Sequence, residues 1–350
     1  MTVSPGEFAE RLFDATLGLV DVLAVYLGDR LGWYRALASG GPATPEELVA
    51  RAGGSARYAR EWLEQQAGTG ILTLDAGSRF ALPAGPAEVL TDADSLNYLA
   101  PLARMFGAAA AQLPALVDAY RHGGGVSWSQ FGVDMRESQA DMNRPWFSDR
   151  LGPTLAGLPD VDAVLRRPGA RIADIGCGGG WSSIALARAY PESTVEGWDV
   201  DRPSIDLARS NAAAAGLAER VRFFPADAAG LGEVGHDALF AFECVHDMPA
   251  PVDVLAAMRR AVRPDGVVVV MDEAVADEFT APVDDTERLM YGFSLLICLP
   301  DGMSTTPSAG TGTVMRTDTL RGYAKEAGFA DIEVLPTGEF GFWRFYRLVP

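Results

Sequence analysis

A single lysine, Lys325, stands in a chain of 350 residues, so arginine carries nearly all of the basic charge. Lys and Arg together number 29 against 47 Asp and Glu, a formal net charge of −18. That deficit argues strongly against nucleic acid as a partner, because phosphate binding needs clustered cations, and equally against an anionic membrane surface. Cysteine is scarce too. Cys177, Cys244 and Cys298 lie far apart and make neither a metal-ligand pattern nor a disulfide framework, so free thiols in a reducing cytoplasm are expected. No apolar run reaches 18 residues, which predicts no membrane-spanning helix. The opening MTVSPGEFAERLFD lacks the charged-then-apolar layout of a secretion signal. What remains is an ordinary globular composition, 48% hydrophobic and 22% charged, at a length that admits two domains.

From Phe8 to Leu37 apolar residues fall on nearly every face of a helical pattern (Leu12, Phe13, Leu17, Val20, Leu23, Tyr26, Leu27, Leu31). Such a helix must be buried in its own core or against a partner chain. Thr44-Pro45-Glu46-Glu47 reads as a helix start with a capping box, closed near Gly53-Gly54. A second helix over 55–66 follows, then ILTLD and RFALP flank Ala76-Gly77-Ser78 as a short hairpin. Helix, helix, hairpin is the order of a winged helix. Residues 1–95 nevertheless hold 7 basic and 13 acidic residues, a net of −6. This favours a dimerisation and substrate-lid module over a DNA reader. Residues 96–164 read as connecting helices, in which His122 closes a helix before Gly123-Gly124-Gly125 as a C-terminal cap.

From Arg171 strands and helices alternate. RIADIG, STVEGWDV, VRFFPAD, ALFAFECV and GVVVVMDE read as strands, and DIEVLPTG with FWRFYRLV as a terminal antiparallel hairpin. The expected fold is α/β over residues 165–350. It is a doubly wound, mostly parallel seven-stranded sheet with an antiparallel last strand, preceded by the mainly helical winged-helix-like domain. His236, just before a strand, reads as an exposed loop residue.

The informative run is Asp174-Ile175-Gly176-Cys177-Gly178-Gly179-Gly180-Trp181. A glycine-rich turn between strand and helix lets a ligand approach the backbone. Trp181 stands where a dinucleotide fingerprint needs a small residue, and Asp174 would repel a pyrophosphate. Asp199 ends the second strand, where an acid can accept both hydroxyls of a ribose, and Asp227-Ala228 ends the third, where a carboxylate can receive an adenine amino group. Three carboxylates at successive strand ends suit a ligand that is cationic at one end and carries a ribose and adenine.

In the order and spacing of D-I-G-C-G-G-G, G-W-D-V-D and P-A-D-A, the chain resembles the class I S-adenosylmethionine-dependent methyltransferases. With the winged helix in front, it is similar to small-molecule O-methyltransferases. The resemblance implies that Asp174, Gly176 and Gly178 face the methionine moiety of S-adenosylmethionine. It likewise implies that Asp199 holds the ribose, with Val200 under the adenine, and that Asp227 and Ala228 meet its amino edge. Phe242, ending the fourth strand, is placed with this cofactor set. It further implies that His246 is the catalytic base, in a run His246-Asp247-Met248 that departs from the family pattern at Met248, and that Asp272 orients it. A neutral imidazole suits proton removal from a hydroxyl, although a structural histidine fits the same place.

No metal is expected. Trp146 and Phe147 read as aromatic lids over substrate or as packing. Arg288, Tyr291, Ser294 and Cys298 share a helical spacing that suits a wall of the substrate pocket or core packing alike, and Tyr291 is counted with the substrate residues. The expected function is methyl transfer to a small-molecule acceptor, with a homodimer as the assembly and no nucleic-acid or membrane partner. A cofactor-binding protein that does not transfer the methyl group, or a ligand-sensing regulator, stays open.

Overall fold

Ser4 opens the first helix with a capping box to Glu7, and Pro5 sits at its first position, so the chain enters α1 (Pro5–Arg30) with its free amides satisfied. The single apolar helix expected to run on to Leu37 is in fact two. Gly32, at φ 69°, adopts a left-handed conformation and starts α2 (Trp33–Gly40). The structure, a computed structural model, describes residues 3–232, 235–338 and 340–350. It divides into two units, 1–107 and 108–350.

In the first unit α3 (Pro45–Ala52) has the expected cap, with Thr44 Oγ1 accepting from the Glu47 amide. Next come α4 (Ala56–Gly68), a two-stranded hairpin of β1 (Thr73–Leu74) and β2 (Phe80–Ala81), and α5 (Ala84–Thr91). Trp33, Tyr34 and Leu37 bury against Trp62, whose ring meets Trp33 and Tyr34 edge-on at 5.1 and 5.0 Å. The apolar residues of α1 have a different fate. Phe8, Leu12, Phe13 and Leu17 are each half or more exposed.

Helix α6 (Ala100–Ala111) spans the boundary, and the second unit continues with α7 (Leu113–His122), α8 (Trp128–Trp146), α9 (Gly152–Ala156) and α10 (Pro159–Leu165). His122 is the last residue of α7, with Gly123 as its cap. Strands and helices then alternate: β3 (Arg171–Ile175), α11 (Trp181–Ala189), β4 (Thr194–Asp199), α12 (Arg202–Ala214), β5 (Val221–Pro225), β6 (His236–Phe242), α13 (Pro251–Ala261) and β7 (Val262–Glu273). After α14 (Asp285–Phe293), α15 (Leu299–Gly302) and α16 (Thr317–Glu326), β8 (Asp331–Val334) and β9 (Trp343–Val349) finish the sheet. Its order is β5-β4-β3-β6-β7-β9-β8, with β9 antiparallel to both of its neighbours.

Successive residues of a strand point to opposite faces, and both faces here are buried. Ile172, Phe240 and Val269 join the core under α11 and α12, whereas Ala173, Leu239 and Val268 join the core under α13 and α16. The sheet winds outward from β3 to β5 and then returns to β6 on the other side of β3. This reversal leaves a crevice at the carboxyl ends of β3 and β6, the place where open α/β sheets bind ligands.

His236 corrects the expectation of an exposed loop residue. It is the first residue of β6, fully buried, and its Nε2 lies 3.1 Å from a carboxylate oxygen of Glu196 on β4. That carboxylate gives the buried imidazole a partner that sequence spacing does not reveal.

Candidate active site

The glycine-rich turn leaves β3 at the crevice. Gly176 and Gly178 have φ of 67° and 49°, a region that side chains with a Cβ avoid. A Cβ at Gly176 would stand 2.6 Å from Cys244 Sγ, whereas one at Gly178 would meet only open space. The turn is tied to the next strand through Asp199. Asp199 Oδ2 accepts from the Gly178 amide at 2.9 Å and Oδ1 from the Asp201 amide at 2.8 Å, which leaves each oxygen a lone pair for a ligand hydroxyl. Val200 beside it is 74% exposed.

Asp174 lies under the turn, fully buried. Its Oδ2 accepts from Ser182 Oγ at 2.7 Å and Ser183 Oγ at 2.5 Å, while Oδ1 has no partner. Burial pushes its carboxyl up to about 6, against the pull of the two serine hydroxyls. A buried carboxylate with one orphaned oxygen is costly unless a cation completes it. Asp227 is exposed and caps the Ala229 amide at 2.8 Å, and Ala228 is buried next to it. The Phe242 ring is in the core, stacked on Phe240 at 5.2 Å.

One face of α8 covers this turn. The helix is broken at Gly132, whose φ of 81° is not helical, and regular beyond it. Arg136 Nε donates to Asp201 at 2.6 Å, Gln139 and Asn143 donate to Glu243, and Arg144 lies over the Trp181 ring at 4.8 Å. A Cβ at Gly179 would sit 2.7 Å from the Ala140 methyl. These positions follow the spacing of a single helical face. None of Arg136, Gln139, Asn143 or Glu243 emerges as a site residue from the motifs, although the polar spacing along α8 carries the signal.

The fourth strand of the parallel run, β6, delivers His246 through a short 3-10 turn over Val245–Asp247. His246 is buried, with Nδ1 2.8 Å from Asp272 Oδ1 and 3.2 Å from Glu273 Oε2, and Nε2 3.3 Å from Asp247 Oδ1. Burial alone would lower its pKa. The carboxylates of Asp247, Asp272 and Glu273 outweigh that and hold the imidazole well above its ordinary value. Burial opposes ionisation of Asp272 as well, but the imidazolium charge keeps that carboxyl below the usual range, and Glu273 is pushed well above it by burial. Two groups have ligand-capable atoms within 4.8 Å of one another and could hold a cation: His246 with Asp247 and Cys298, and His246 with Asp272 and Glu273. Cys244 links this cluster to the glycine turn, since its Sγ donates to the Ile175 carbonyl at 3.2 Å.

Of the remaining sequence-derived positions, Cys298 joins the His246 cluster, and Trp146, Phe147 and Tyr291 pack on neighbouring elements of the unit. Trp146 meets Phe340 and Trp343 with ring centroids 5.8 and 5.7 Å apart. Phe147 is buried against Phe242. Tyr291 accepts from Arg316 at 3.3 Å and sets its ring edge-on to Phe279. The spacing that joined Arg288, Tyr291, Ser294 and Cys298 is interrupted by a π-helical turn over Ser294–Cys298. Arg288 is exposed, while Cys298 lies beside His246.

Residues 172–266 match the family model of a methyltransferase domain, and residues 20–92 that of an Rv2258c-like winged helix-turn-helix domain. A ubiquinone biosynthesis O-methyltransferase of Roseobacter denitrificans is 33% identical over 130 residues, 37% of this chain and 52% of that protein. The methyltransferase GfsG of Streptomyces halstedii is 35% identical over 129 residues, 36% of this chain and 44% of that protein. The chain thus spans about half the length of these curated relatives. The solved structure of human N-acetylserotonin methyltransferase, in complex with SAM, superposes with a TM-score of 0.70 at 18% identity and covers 100% of this chain and 99% of that one. An O-methyltransferase family protein from Burkholderia thailandensis gives 0.71 at 19%, covering 99% and 98%. The protein therefore joins a methyltransferase domain, residues 172–266, to a winged helix-turn-helix domain at residues 20–92.

Proposed function

We propose that this protein transfers a methyl group from S-adenosylmethionine to a hydroxyl oxygen of a small molecule. The observation that carries the reading is the buried His246–Asp272 pair at the end of the strand next to the glycine turn. The residues fit the cofactor. The orphaned Oδ1 of Asp174 suits an ammonium group, the free lone pairs of Asp199 suit ribose hydroxyls, and exposed Val200 with Asp227 and Ala228 suits an adenine edge. The open space over Gly178 is where a ligand would lie against the backbone. Bound there, S-adenosylmethionine would supply an electrophilic methyl group.

The chain's own residues then hold the acceptor oxygen in line, exclude water and take its proton. Nδ1 of His246, bonded to Asp272, directs Nε2 towards the acceptor. Because three carboxylates raise the imidazole pKa, the neutral form that can act as a base grows as pH rises above neutral. Calorimetric titration with S-adenosylhomocysteine and, separately, NAD tests the cofactor. Tight binding of the first alone, lost in Asp199→Ala, supports the reading, and absence of that binding overturns it. The exposed apolar face of α1 supports a homodimer built on residues 1–95, with residues 96–164 as connecting helices and lid. The unpaired thiols of Cys177, Cys244 and Cys298 support a cytoplasmic setting.

A further inference from the structure

Glu243 is the carboxylate that neither the cofactor nor the base requires. It follows directly on β6, three residues before His246, and holds φ at 55°, a conformation uncommon outside glycine and costly unless the surroundings enforce it. They do enforce it. The Glu243 amide donates to the Met271 carbonyl at 2.7 Å. Its Oε2 accepts from Asn143 Nδ2 at 2.5 Å and Gln139 Nε2 at 3.3 Å, both on the α8 face that covers the glycine turn. The next residue, Cys244, packs on Gly176. The carboxylate is therefore aimed at the same crevice as the cofactor turn and the imidazole.

The donors bonded to Glu243 are two neutral amides, those of Gln139 and Asn143. No arginine or lysine is paired with it among the described residues. Burial pushes its carboxyl up to about 7, against the pull of its amide donor and of the His246 imidazolium, so it is ionised in mildly alkaline solution. A charge oriented by neutral amides, held on a strained backbone and paired with no arginine or lysine is a recognition element for a cation.

Resting on the methyltransferase reading, we propose that Glu243 is the specificity-determining residue of the acceptor site, docking a protonated amino group, and that the preferred acceptors are hydroxy compounds bearing an amine. The same chemistry could come from the ammonium end of the cofactor. The proposal commits to the acceptor, because Glu243 adjoins His246, whereas Asp174 already offers the cofactor an orphaned oxygen.

Tyramine and 4-ethylphenol share a phenol and a two-carbon arm and differ in the amine, so they are the probes. Their binding is measured by calorimetry at pH 8 to the full chain saturated with S-adenosylhomocysteine, for wild type, Glu243→Gln and Glu243→Asp. Transfer of labelled methyl to each is measured in parallel. Wild type should hold tyramine about 10- to 100-fold tighter, the range of a charge-assisted hydrogen bond. The preference should fall below about threefold in Glu243→Gln and return in part in Glu243→Asp, with affinity for S-adenosylhomocysteine unchanged in both. Equal binding of the two phenols, binding of neither, or a preference kept by Glu243→Gln overturns the proposal. A drop in S-adenosylhomocysteine affinity in Glu243→Gln would assign the carboxylate to the cofactor and overturn it as well. Failure of wild type to bind S-adenosylhomocysteine would sink the methyltransferase reading instead, and unchanged nucleoside affinity in the variants shows that they fold.

Discussion

Replacing Asp174 by Asn should stabilise the ligand-free protein while abolishing its affinity for the cofactor. The carboxyl is fully buried, and burial raises it from 3.8 to about 6. Each pH unit of such a shift is worth about 1.4 kcal/mol, so the ionised group costs the fold about 3 kcal/mol at pH 8. The sign follows from which state ionises first. Well below pH 3.8 the carboxyl is neutral in both states and contributes nothing. As pH rises through 3.8 the unfolded chain ionises first, and the folded state loses relative stability until about pH 6, after which the penalty is constant. At pH 5 the penalty is about half its full size.

Asn keeps an acceptor for the hydroxyls of Ser182 and Ser183 but sets an amide where Oδ1 was orphaned, so about 3 kcal/mol is an upper bound on the gain. Urea unfolding followed by tryptophan fluorescence at pH 5 and pH 8 measures it. The variant's midpoint should lie above wild type at pH 8, with a narrower gap at pH 5. Saturating S-adenosylhomocysteine should reverse the order, because only wild type gains binding energy. A variant no more stable than wild type at pH 8, or a gap that does not change with pH, would refute the claim that an uncompensated charge sits under the glycine turn.

Three further outcomes are expected. His246→Ala should lower kcat by about 100-fold or more, the usual scale of a lost general base, with S-adenosylhomocysteine affinity preserved by calorimetry; unchanged turnover would remove His246 from the mechanism. In wild type the rate of labelled-methyl transfer should rise with pH above neutral, since the carboxylates of Asp247, Asp272 and Glu273 hold the imidazole protonated past its ordinary value. Asp272→Asn removes one of them and should move that rise to lower pH, whereas a profile that does not move denies the coupling. Leu12→Glu with Leu17→Glu places charges on the exposed apolar face of α1 and should convert a dimer to a monomer in light scattering. A pair of substitutions that leaves the mass unchanged would show that this face is not the interface.

The residues of the glycine turn were legible because the chemistry restricts them. Gly176 and Gly178 take left-handed backbone, and Asp199 at the end of the next strand accepts the Gly178 amide, so identity and spacing alone carry the information. Where a role depends on the partner, the sequence is silent. His236 stands before a strand as a loop residue would, yet Glu196 on β4, forty residues away in sequence, gives it a buried partner. Trp146 and Phe147 have the composition of a lid or of a core, and only the positions of Phe340, Trp343 and Phe242 separate the two. Glu243 sits beside the His246 motif, but its strained backbone and its bonds to Asn143 and Gln139 exist only after α8 has docked. The break at Gly32 divides a run that hydrophobic periodicity alone had joined.

Gly132 also decides where this chain can change length. Beyond it, each residue advances the helix by about 100°, so one insertion or deletion between Arg136 and Asn143 would break the common face on which these two, with Gln139 and Ala140, meet Asp201, Gly179 and Glu243. Before Gly132 the non-helical joint absorbs such a change without rotating the rest of α8. Variation among relatives of this chain should therefore accumulate on the near side of that glycine, while the far side keeps its count.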